Sequence, residues 1–140
     1  MNLVYALGAY PAGALADRVR ARPLLLAGLA ALVVADLFLA FGGGLLATFV
    51  GIAFWGLHMA LTQGLLAKMV ADSAAARLRG SAFGLFGIAT GFAMLGASAL
   101  AGWLWVIAGP QATFVAGAGF AVLAALAVSL APRVRSAGRP

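Results

Sequence analysis

Long apolar stretches, interrupted only by glycine, proline and short clusters of arginine, run through all 140 residues of this chain. A helix needs about 20 predominantly apolar residues to cross the hydrocarbon layer of a bilayer. Backbone in lipid must satisfy its own hydrogen bonds, so only helices and closed barrels can span it. The runs here lack the alternating period of barrel strands, which leaves an all-α, polytopic bundle of membrane helices. Five spans are expected, at about 1–16, 24–41, 45–67, 80–105 and 112–131, followed by a tail at 132–140. Together they form one partial transmembrane domain. Pro23 opens the second span where a missing N–H costs little, the triple glycine 42–44 closes it in a tight turn, and Gly109-Pro110 separates the last two. The first span is short and starts without a cap or a flanking charge, as a helix whose beginning is missing. A cleavable leader would put basic residues before its apolar core, yet the first basic residue is Arg18.

Composition removes most other classes of function. Hydrophobic residues make up 65% of the chain and charged ones 9%, against about 25% charged in soluble domains. With no cysteine and a single histidine, disulfides and zinc clusters have no material, and no metal or cofactor is expected. The acidic residues are three aspartates, too few and too scattered for paired-carboxylate catalysis, so the chain is not read as an enzyme. The net charge of +6 is not a nucleic-acid signature, because the basic residues form neither a single patch nor an alternation with aromatics.

Those basic residues instead set a topology. Arg18, Arg20 and Arg22, then Lys68, Arg77 and Arg79, then Arg133, Arg135 and Arg139 all fall on one side of a five-span arrangement, whereas the turns near Gly43 and Gly109 carry no charge. The positive-inside rule makes that side the cytoplasm, with the amino terminus outside and the carboxyl terminus inside, in a plasma (inner) membrane. Trp103 and Trp105 then fall at the outer interface.

Three groups of residues are candidates for more than spanning. Gly80, Gly84, Gly87 and Gly91 give GxxxG twice on the fourth span, a spacing that lets two helices approach closely, although glycine is common in membrane helices of every kind. On the third span Gly51, Trp55, His58, Thr62 and Leu65 share one face. His58 lies roughly 20 Å below the outer end of its helix, and Thr90 is at a similar depth, which allows a hydrogen bond between them. Two readings of His58 stay open: a ligand contact or proton carrier on a polar path with Trp55, Thr62 and Thr90, or a neutral histidine bonded to a neighbouring helix. Asp36 lies roughly 8 Å below the outer end of the second span, too far up for a direct pair with His58. Its neighbours Leu29, Leu32, Val33 and Leu39 read as a lipid-facing stripe, with Ala27, Gly28, Ala31 and Ala35 elsewhere.

The stretch from Gly13 through Asp17 and Arg18 to Arg22-Pro23 resembles the cytoplasmic loop motif of the major facilitator superfamily, and Val70-Ala71-Asp72-Ser73 with Leu78-Arg79-Gly80 and Gly84 is similar to the loop and helix start that recur two spans later. Arg20 and Ala21 stand where the family usually has a second glycine and a basic residue. The resemblance covers essentially the whole chain and implies the last five helices of a twelve-helix transporter. It also implies that Gly13 permits close helix contact, that Asp17 meets a helix N-terminus or an arginine, and that Arg18 and Arg22 anchor a conformational latch. The third span would line the central cavity, which favours His58 over Asp36. The function implied is transport of a small solute by alternating access, with protons as a candidate co-ion and the missing amino-terminal helices or a second membrane subunit as partners, all within the lipid bilayer. The competing reading is a non-transporting scaffold or assembly subunit, or an inactive transporter fragment.

Overall fold

The computed structural model describes residues 1–131, and the turn signals in the sequence mark out its elements. Four helices result: α1 (Asn2–Arg18), α2 (Ala21–Phe41), α3 (Leu45–Ser73) and α4 (Arg79–Leu130), with one 3-10 turn at Ala76–Leu78 before the last. Among the described residues there is no strand, and the fold is an all-α membrane bundle. Three segments, Ala21–Phe41, Leu45–Ser73 and Ala76–Leu130, are long and apolar enough to cross a membrane. The expected tail at 132–140 lies outside the described residues.

Gly44 and Gly109 are the two described residues with positive φ, at 89° and 82°. A side chain would be strained at either, so each is where the chain can reverse. Gly44 ends the link from α2 to α3. Gly109, followed by Pro110, divides α4 into arms at 79–108 and 110–130. In an unbroken helix residues 101 and 113 would stand about 18 Å apart along the axis. Instead the Thr113 hydroxyl donates to the Ala101 carbonyl at 3.4 Å, and Trp105 meets Phe114 edge-on at 6.4 Å between ring centroids. The second arm folds back on the first.

Helix packing runs through small residues. α1 and α3 are parallel: Gly56 sits against Met1 and Val4, Gly8 against Ala60, and Lys68 reaches Ala16. Gly8, Ala12 and Ala16 repeat every four residues on α1, as Gly56, Ala60 and Gly64 do on α3, the spacing at which two backbones can come close. Toward the Lys68 end the two diverge around Gly13 and Gly64 and leave a cleft of about 70 Å³. α2 and α3 form an antiparallel hairpin with the most extensive contact in the bundle. Gly28 touches Thr62, Gly51 lies against Ala35 and Leu39, and Phe38 stacks with Phe54.

On its other flank α2 packs antiparallel to the second arm of α4. Arg22 reaches Ala131 at one end, and fourteen residues away on both helices Asp36 faces Gly117. This corrects the placement of Asp36 on a lipid-facing stripe. The side chain is 7% exposed, because Gly117 lacks the Cβ that would otherwise stand 2.7 Å from Oδ2. Of the small residues placed away from that stripe, Gly28, Ala31 and Ala35 are buried and Ala27 is exposed. The glycine-bearing start of the first arm of α4 is open: nothing lies within 4 Å of where a side chain at Gly80, Gly84, Gly87 or Gly91 would begin. The doubled GxxxG has no partner helix among the described residues.

Candidate functional site

Polar side chains gather at two levels of the bundle. Mid-bundle, His58 Nδ1 lies 2.8 Å from the Gly28 carbonyl oxygen of α2. A carbonyl only accepts, so Nδ1 is the donor and carries the proton. Approach is possible because position 28 has no side chain; a Cβ there would stand 2.5 Å from the Thr62 methyl. Thr62 is buried and its hydroxyl donates to the His58 carbonyl one turn back, at 2.8 Å. Trp55 is 41% exposed, a turn away from His58 on the side opposite to Thr62 along the helix.

The expected face of α3 therefore changes character along its length. Gly51, Thr62 and Leu65 are buried, His58 is half-buried and Trp55 is exposed. The hydrogen bond between His58 and Thr90 is not made: the Thr90 hydroxyl donates to the Phe86 carbonyl of its own helix at 2.8 Å. A threonine inside an apolar helix satisfies itself most cheaply on the preceding turn.

The second level joins four helix ends. Lys68, near the end of α3, donates to Asp17 at 2.5 Å and to the Ala16 carbonyl at 3.1 Å, so one ammonium bridges the last turn of α1 and its acidic side chain. The hydrogen bond from Lys68, and then its charge, hold the Asp17 carboxyl below its ordinary value of 3.8. Arg22, in the first turn of α2, donates to the Ser129 carbonyl and, at 3.5 Å, to the Ala131 carbonyl at the end of α4. In both places a cation meets carbonyls that a helix C-terminus leaves without intrahelical donors, at the negative end of the helix dipole.

Asp17 was expected against a helix N-terminus or an arginine; it meets a lysine instead, because parallel packing brings the end of α3 alongside the end of α1. Arg18 makes no hydrogen bond or ion pair among the described residues, and Gly13 lines the cleft without touching a neighbouring helix closely. Lys68 and Gly28 are the site residues that sequence reasoning missed. Lys68 is the chain's one lysine, placed at the end of an apolar run, which is the available signal. No cluster of metal-ligating side chains occurs among the described residues.

A family model described as Major Facilitator Superfamily matches residues 1–140. Among curated proteins, an uncharacterized MFS-type transporter of Methanocaldococcus jannaschii is 30% identical over 125 residues, which are 89% of this chain and 31% of that protein. The chain thus spans about a third of the relative's length. No solved structure matches it.

Proposed function

The chain belongs to the major facilitator superfamily, and from that membership we propose that it forms part of a secondary transporter that moves a small solute by alternating access. What supports this reading is the level of polar contacts that ties α1 to α3 and α2 to α4 at one end of the bundle. The Lys68–Asp17 pair is largely exposed, and the Arg22 contacts are with exposed backbone; such contacts contribute little stability and can exchange for others when the helices shift during transport. That end is cytoplasmic in this reading, with the amino terminus outside and the bundle in a plasma (inner) membrane, since the described basic residues, Arg18 to Arg22 and Lys68 to Arg79, lie there. Gly13, Asp17, Arg18 and Arg22 belong to the latch, joined by Lys68. His58 and Trp55 face a polar path in the middle of the membrane, with a small solute, and protons as the candidate co-ion, as its traffic. Thr62 and Thr90 lend that path only acceptor oxygens, because both hydroxyl protons are committed to carbonyls. Gly80, Gly84, Gly87 and Gly91 present a close-packing face to the helices of the longer assembly.

The test is Asp17→Asn in the complete transporter. Transport should slow while membrane insertion stays intact, because the amide keeps the shape but loses the charge that Lys68 pairs with. Normal flux in that variant would refute the latch.

A further inference from the structure

The His58 side chain joins two helices in the middle of the bundle while still being half-exposed. We infer that its imidazole is locked as the Nδ1–H tautomer, so that Nε2 is a bare acceptor and the group it takes from a solute is a hydrogen-bond donor, an N–H or an O–H. The donor class rests on the reading of His58 as part of the solute path; the tautomer does not.

The lock is geometric. In a neutral imidazole one nitrogen donates and the other accepts, and the choice is set by whichever partner is fixed. Here the fixed partner is the Gly28 carbonyl at 2.8 Å, which can only accept. The other tautomer would set two lone pairs against each other at 2.8 Å. Gly28 holds this arrangement twice over: its carbonyl is the acceptor, and its missing Cβ gives the room, since a methyl there would press on Thr62 and Leu61 one turn further along α3. Thr62 stiffens the same turn through its bond to the His58 carbonyl. Nε2 has no hydrogen-bond partner among the described residues. A solute that offers only acceptors, such as a carboxylate or a sulfonate, meets the wrong end of this ring.

His58 is the chain's one histidine, so a single isotope label reports it without assignment. In the full chain reconstituted in lipid vesicles with 15N-histidine, NMR should show Nδ1 as the protonated nitrogen and Nε2 as the bare one. Protonation on Nε2, or rapid averaging of the two nitrogens, would overturn the inference. Gly28→Ala should release the lock and let the tautomers mix; an unchanged tautomer in that variant would also count against it. Diethyl pyrocarbonate, which acylates an imidazole nitrogen with a free lone pair, probes the exposed side separately. Acylation of His58 at Nε2 in intact vesicles supports the acceptor role toward a solute. Protection in the vesicles, with acylation only after unfolding, would leave the tautomer standing but remove the donor-bearing solute, because Nε2 would then be sealed among helices.

Discussion

The α2–α3 hairpin and the first arm of α4 are both rich in glycine, yet they use it in opposite ways. In the hairpin, Gly28 and Gly51 press against the opposing helix, and neither belongs to a GxxxG pair. In the first arm, Gly80, Gly84, Gly87 and Gly91 form two such pairs and touch nothing. Spacing alone therefore does not report contact. What distinguishes the hairpin is that its glycines lie opposite specific bulk, the Thr62 methyl and the Leu39 side chain, so shape complementarity and not periodicity makes the seam.

The sharpest way to break this comparison is to put the same side chain in both places. Gly28→Leu forces a Cβ into the space of Thr62 and should destabilise the bundle by about 1–3 kcal/mol or more, the usual cost of overpacking. Gly84→Leu should leave the unfolding midpoint of this chain in detergent unchanged. Equal losses in the two variants would mean that the glycine face of the first arm has a partner within the chain itself, and the contrast would collapse.

A smaller effect is expected on the other flank of α2, where a Cβ on Gly117 would stand 2.7 Å from Asp36 Oδ2. Gly117→Ala should lower stability, and adding Asp36→Ala should restore most of the loss by freeing the space. A coupling of about 0.5–3 kcal/mol between the two substitutions is the expected range for side chains in contact. Independent effects in the double-mutant cycle would show that α2 and the second arm do not meet there.

Much of the chain's segmentation was legible beforehand, and for local reasons. Pro23 falls in the first turn of α2, Gly44 turns the chain, and Gly109-Pro110 breaks α4, because each of these residues restricts or frees its own backbone whatever surrounds it. The partners of each helix face were not legible. Asp36 illustrates why: in water, polarity marks the outside of a helix, whereas here Leu37 and Phe38 face outward at 44% and 39% exposure while the adjacent Asp36 is buried. With apolar side chains all round, no amphipathic pattern distinguishes a packed face from one that meets lipid. The α1–α3 seam could have been found, since two ladders of small residues at four-residue spacing run along Gly8, Ala12 and Ala16 and along Gly56, Ala60 and Gly64.

The smallest effects belong to the polar level at the helix ends. Arg22→Gln removes a cation from the end of α4 and should cost about 0.3–1 kcal/mol, with little change in helix content. Asp17 is largely exposed and should matter less to stability. Its carboxyl is held below 3.8 by Lys68, so whatever its pairing adds is fully present above that value and is lost as pH falls through the lowered value. An unfolding midpoint whose acid-side decline is the same in wild type and Asp17→Asn would show that the Lys68 contact adds nothing.

The burial of Asp36 against Gly117 also has a consequence in time. The two positions are 81 residues apart in the chain, so a ribosome working at about 5–20 residues per second makes Gly117 about 4–16 s after Asp36. During that interval α2 has no second arm to lean on, and its carboxyl faces lipid or the insertion machinery. A charged aspartate near a helix centre costs about 2.5–3.5 kcal/mol on insertion scales. The rest of α2 offsets that, since its most apolar 18-residue window has a mean hydropathy of 2.5, the highest of the three candidate spans. The high apolarity of α2 then serves its own biosynthesis: the helix that carries the misfit residue can enter the membrane before the helix that covers it has been made.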